Sequence, residues 1–210
     1  MRIKEEALRY LGYKGAEPDS STAALLDRAY KELSEAAAPK FCYKVLDKKD
    51  CGGILAGNDI YKHLEGCERV IIFAATLGNG ADKLIRSAEI SDMAYAIVAD
   101  ALSSAMIEEY CYNCEKEMKE KTGGSYTWRY SPGYGDYPIE CQGAFLAALN
   151  AGRLIGLTVT ESNILLPRKS VTAVIGISEK EIESSEKRGC DSCKLRETCK
   201  FRKEGKGCGR

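Results

Sequence analysis

The spacing of apolar positions changes several times along the chain, and each change marks an element. Residues 2–11 carry apolar side chains at helical intervals and end at Gly12, which predicts a short amphipathic helix. The turn-forming GAEPDSS at 15–21 precedes an alanine-rich stretch that predicts a second helix over 22–37, capped by Ser20 or Ser21. FCYKVLD at 41–47 has the pattern of a strand, and Gly52 with Gly53 marks a turn after it. In ERVIIFAATLGNG at 68–80 the unbroken apolar run 70–74 predicts a buried strand, followed by a turn at Gly78, Asn79 and Gly80 and a helix from Ala81. A strand, glycine turn and helix in that order can hold an anion on backbone N–H groups. LGNGADK, however, has neither the lysine and hydroxyl of a Walker loop nor GxGxxG, so it reads as a tight turn.

The longest predicted helix covers 92–118, where Ala94, Ile97, Val98, Ala101 and Ala105 recur on one small-residue face. Asp100, Ser104 and Glu108 form a polar line bordering that face. It reads as a solvated seam, or as a line that brings one carboxylate to a cleft between helix and sheet. In SYTWRYSPGYGDYP at 125–138 the period becomes two: Tyr126, Trp128 and Tyr130 alternate with Ser125, Thr127 and Arg129, so a strand would show aromatics on one face and Arg129 on the other. Pro132 ends that strand, and Gly133 and Gly135 relax the turn carrying Tyr134. An arginine at a strand end beside such a turn suits a carboxylate or phosphate through its guanidinium fork. A helix over 140–150 follows. LIGLTVTES at 154–162 and VTAVIGI at 171–177 alternate like two strands, separated by NILLPRK, of a sheet with one buried face and one available to a ligand. No regular βαβ repeat is present. The predicted fold is α+β: one domain with a curved antiparallel or mixed sheet flanked by helices and a cysteine-rich C-terminal tail.

Composition narrows the function. The 210-residue chain is 44% hydrophobic and 30% charged, with 31 basic residues balancing 31 acidic ones, so nothing global suggests a nucleic-acid partner. The N-terminal residues lack a signal-peptide core, and no apolar run reaches the roughly 18–20 residues that span a bilayer, so a cytoplasmic protein without membrane contact is expected. Ten cysteines would suit a secreted scaffold, but a core of this size needs no disulfide staples. Cys42, Cys67 and Cys141 sit among apolar residues and are expected in the core. Cys111 and Cys114 form a CxxC on the long helix, expected to be structural because no thioredoxin-like strand precedes them.

The run RYSPGYGDYP at 129–138, with ECQGAFLAALNAGRLIGLTVTESNILLPRKSVTAVIG at 140–176, resembles the activation domain of vitamin B12-dependent methionine synthase, and more closely its free-standing relatives. The carried signature is RxxxGY, a short helix, a TES strand, a proline and SVxxxIG; FAATLG at 73–78 and DALSSAMIE at 100–108 extend the likeness. The resemblance implies an S-adenosylmethionine-binding reactivation factor that supports reductive methylation of cob(II)alamin, a methyltransferase-type activity. By motif position Arg129 would hold the cofactor's carboxylate, the backbone at Pro132 and Gly133 would contact it, and Tyr134 would stand by the methyl-transfer path as the catalytic residue. Glu161 in the TES element is a weaker cofactor contact. Asp92, Asp100 and Glu108 are candidates for the cofactor's amino group. The lone His63 lies outside the motif and is expected at the surface or boundary. No DxHxxG segment is present, so cobalamin would be carried by a partner, either methionine synthase or another corrinoid protein, and an electron donor would be needed.

The tail contains Cys190, Cys193, Cys199 and Cys208 among lysines and arginines. Four thiolates that close together can surround a [4Fe–4S] cluster or a zinc ion, or remain redox-active thiols. The expected organisation is an N-terminal helical and strand region (1–67), an activation-domain-like core (68–180) and a metal-binding tail (187–210). The competing function is a noncatalytic metal-binding or redox-sensing module on the same fold.

Overall fold

The computed structural model describes residues 2–13 and 16–180. The four tail cysteines and their expected metal site lie outside the described residues. Helices α1 (Arg2–Tyr10) and α2 (Ser20–Ala36) stand where the periodicity puts them. The cap of α2 is Asp19, not Ser20 or Ser21: its carboxylate accepts from the backbone N–H groups of Ser21 at 3.0 Å and Thr22 at 2.9 Å. A charged acceptor reaching two donors at the positive helix end outcompetes a hydroxyl.

Strand β1 (Lys40–Asp47) leads to α3 (Asn58–His63), a short helix without a periodic sequence signal. Strand β2 (Arg69–Thr76), α4 (Asn79–Ser91) and α5 (Met93–Thr122) follow. The expected turn at 78–80 is shorter than predicted, because α4 already starts at Asn79. A Cβ on Gly80 would strike the carbonyl oxygen of Ala36, so this glycine permits close approach of α4 to the end of α2. Asp92 breaks the helix between α4 and α5 and caps α5 by accepting from Tyr95 N–H at 3.0 Å.

The remaining elements are β3 (Ser125–Tyr126), α6 (Gln142–Leu149), α7 (Ala151–Ile155), β4 (Thr158–Val159), β5 (Leu165–Leu166) and β6 (Ser170–Ser178). The main sheet has the order β1-β2-β6-β3 with every pair antiparallel, so the fold is α+β. The expected strand through 154–160 is corrected. Its first part is α7, and β4 pairs with β5, which arises from the segment read as a separator. An apolar run this short suits either period, and burial of Ile155 and Leu157 in one cluster decides the helix and loop path.

Helices α1, α2, α4 and α5 cover one face of the sheet, on Ile71, Phe73, Ala75, Ala173, Ile175 and Ile177. Helices α3, α6 and α7 cover the other, on Val70, Ile72, Ala74 and Val174. Residues 172–178 of β6 are therefore buried on both sides, and the expectation that one of its faces meets a ligand is overturned. The sheet's outer strands are β1 and the short β3, and the RYSPGY segment begins where β3 ends. Among the described residues no helix is long and apolar enough to cross a membrane.

Candidate functional site

Tyr126 pairs with Ile177, whereas Tyr130 bridges Val174. The chain advances four residues against three on β6, so one extra residue is accommodated between them as a β-bulge. The consequence is a change of face. Tyr126 turns toward α5, where its hydroxyl meets Thr122 Oγ1 at 2.8 Å and donates to the Lys119 carbonyl at 2.9 Å. Trp128 and Tyr130 gather instead around His63, with ring centroids 4.4 and 5.1 Å from the imidazole. The predicted single aromatic face is thus split, and Arg129 lies on the same side as Tyr126. His63 is half-buried and its Nε2 lies 2.7 Å from the Trp128 carbonyl, a boundary position.

Arg129 Nη1 donates to Glu115 Oε1 at 2.6 Å, and Nη2 donates to Glu108 Oε2. The arginine side chain is 23% exposed, that of Glu115 10% and that of Glu108 44%. Burial opposes the arginine's charge, but the two carboxylates outweigh it and hold its pKa above the ordinary value. Glu115 also lies 3.5 Å from Lys119 Nζ, which leaves Glu108 as the more exposed arm of the fork. The polar line on α5 therefore receives cations from the sheet side along its length: Lys169 Nζ meets Asp100 Oδ1 at 2.8 Å and Ser104 Oγ at 2.9 Å, and Arg129 meets Glu108. Glu115, missed from the sequence, continues that line seven residues beyond Glu108, two helical turns along the same face.

The other candidates are placed as follows. Pro132 is buried, and Gly133 and Tyr134 are exposed, Tyr134 to 67%. Gly133 takes a φ of +92°, which explains a glycine there. Tyr134 sits 6.4 Å from the Tyr130 ring, edge on, next to the aromatic group and not to the Arg129 fork. Glu161 is exposed in the turn between β4 and β5, with no hydrogen bond or ion pair among the described residues to Arg129 or Tyr134. Of the three acidic candidates only Glu108 joins Arg129, since Asp92 caps α5 and Asp100 holds Lys169. A cavity of about 260 Å³ lies beyond Asp100, lined by Asp82, Ile85, Arg86, Leu166, Arg168 and Lys169.

Cys111 and Cys114 are buried on α5. Burial pushes their thiols up to about 12 and about 11, and neither is a thiolate at neutral pH. Among the described residues no group of three or more His, Cys, Asp or Glu side chains is arranged to hold a metal ion.

A solved structure is similar to this protein in fold. The MetH reactivation domain bound to AdoHcy superposes with a TM-score of 0.57 at 12% identity, covering 98% of this chain and 82% of that one. The fold is similar to that of the MetH reactivation domain. No family model matches the chain, and no curated protein matches it in sequence. The likeness therefore rests on architecture.

Proposed function

We propose that this protein binds S-adenosylmethionine and serves as a reactivation factor for a separate corrinoid protein such as methionine synthase. The observation that carries the reading is the pairing of Arg129 with the half-exposed Glu108, beside β3, in a fold similar to an AdoHcy-bound reactivation domain. An α-amino acid end has one carboxylate and one ammonium group. A guanidinium next to a half-exposed carboxylate complements both at once. Arg129 takes the ligand's carboxylate through its guanidinium fork, and Glu108 takes the ammonium. Glu115 stays behind as the buried counter-charge that keeps the fork aligned.

The backbone at Pro132 and Gly133 is the proposed further contact with the ligand, between the Arg129 fork on the α5 side and Tyr134 beside the Tyr130 ring. The exposed ring of Tyr134 offers an apolar face with one polar tip toward a planar partner and keeps water from the transfer path. In the overall chemistry, one electron from a donor and one methyl cation from S-adenosylmethionine convert partner-bound cob(II)alamin to methylcobalamin and release S-adenosylhomocysteine. The chain's own contribution is alignment and exclusion of water, with no general acid or base required.

The test is calorimetric titration with S-adenosylmethionine, alone and with a cobalamin-loaded methionine synthase. Saturable binding is expected for the unaltered protein, weakened at least tenfold in Arg129→Lys, roughly the loss of one bidentate charged contact. The lysine variant keeps a cation opposite Glu115, so it preserves the packing where an alanine would leave that buried carboxylate with only Lys119 at 3.5 Å. No binding by the unaltered protein, with or without the partner, would overturn the proposal.

A further inference from the structure

The 131–137 loop is tied to a helix that lies far away in sequence. Asp136 places one carboxylate oxygen 2.8 Å from the backbone N–H of Asn58 and the other 2.8 Å from that of Asp59, capping α3 from outside its own chain segment. Asp59 returns the contact: its Oδ2 accepts from the Asp136 backbone N–H at 3.1 Å. Both sides of the junction need glycine. A Cβ on Gly57 would meet the Asp136 carbonyl and carboxylate, the latter at 2.8 Å, and one on Gly135 would meet the Asp59 carboxylate and the Tyr130 hydroxyl at 2.5 Å. Inside the loop, Gly133 N–H donates to Tyr137 O at 2.8 Å and Tyr137 N–H donates to Tyr134 O at 3.0 Å. Tyr137, 1% exposed, donates its hydroxyl to the Ile54 carbonyl at 2.7 Å. The exposed ring of Tyr134 therefore stands on a backbone held at every side.

We infer that Asp59 and Asp136 are positioning residues, which fix the loop so that Tyr134 and the backbone of Pro132 and Gly133 keep a set place relative to Arg129. The inference rests on the proposed S-adenosylmethionine site for its functional meaning, and on the reciprocal bonds for its physical content. Charge-assisted bonds to backbone N–H groups are the stronger kind, and two glycines reserve the space for them. An ordered loop lowers the conformational cost that ligand binding would otherwise meet.

The experiment compares Asp136→Ala and Asp136→Asn with Asp19→Ala, which removes an equivalent helix cap from α2, away from this loop. Amide hydrogen exchange of 131–138 and of 170–178 is followed by mass spectrometry, and S-adenosylmethionine is titrated into each variant. The expected result is exchange in 131–138 faster by about tenfold in Asp136→Ala, less in Asp136→Asn, with 170–178 unchanged and Kd raised by about tenfold, the size of one to two lost charge-assisted bonds. Asp19→Ala should move neither readout. Exchange no faster than in Asp19→Ala would overturn the anchoring, and a loosened loop with unchanged Kd would overturn the positioning role. If the unaltered protein binds no S-adenosylmethionine, the proposed function falls, the positioning role falls with it, and the exchange data alone decide whether the loop is anchored.

Discussion

Arg129 brings a fixed positive charge into a mostly buried place, and the carboxylates of Glu108 and Glu115 make that tolerable. The same neighbourhood has the opposite effect on Cys111, a small apolar residue in its wall. Burial is the leading influence on the thiol and raises its pKa; the nearby guanidinium lowers it only in part. A raised thiol pKa means a negligible thiolate fraction through the neutral range and a nucleophile only near pH 11–12. Iodoacetamide at pH 7.5 should therefore leave Cys111 and Cys114 unlabelled in the native protein and label both in urea, as read by peptide mass spectrometry. Native labelling at either position would mean that the helix face opens, and that the pair is available for redox chemistry after all.

At the scale of elements, the bulge between Tyr126 and Tyr130 and the meeting of α2 with α4 show packing overriding local pattern. One extra residue at a sheet edge reverses which face every later side chain occupies, and this puts Arg129 on the α5 side together with Tyr126. Gly80 and Gly143 both lie in helices, where glycine is costly, yet their surroundings differ. Nothing lies within 4 Å of a Cβ built on Gly143, while one on Gly80 would collide with backbone of α2. Gly143→Ala should stabilise by about 0.5–1 kcal/mol, and Gly80→Ala should destabilise by about 1–3 kcal/mol. Urea unfolding of the two variants checks the contrast, and equal effects would mean that the approach of α2 to α4 is not tight in solution.

For the molecule as a whole, β2 is the shared wall. Its alternate residues Ile71, Phe73 and Ala75 face the α1, α2, α4 and α5 layer, and Val70, Ile72 and Ala74 face the α3, α6 and α7 layer. The two cores should therefore unfold together. Phe73→Ala, at a fully buried position, should cost about 3–5 kcal/mol and keep a single transition by both near- and far-ultraviolet circular dichroism. Two separate transitions would mean independent layers. The helices α1, α2 and α5 and the strands β1, β2 and β6 were legible in the sequence because each is long enough for its period to be read. The RxxxGY run was legible too, because glycine, proline and arginine state their conformational and charge preferences locally. The short elements α3, α7 and β5 were not, and β4 was legible only as part of a longer strand, since a few apolar residues fit either period until a partner surface chooses. The bulge, the Glu115 arm of the fork and the tie from Asp136 to α3 were decided by tertiary structure alone. Each depends on groups brought together across a fold, and neither hydrophobic period nor local propensity carries information about which distant backbone will present its N–H groups.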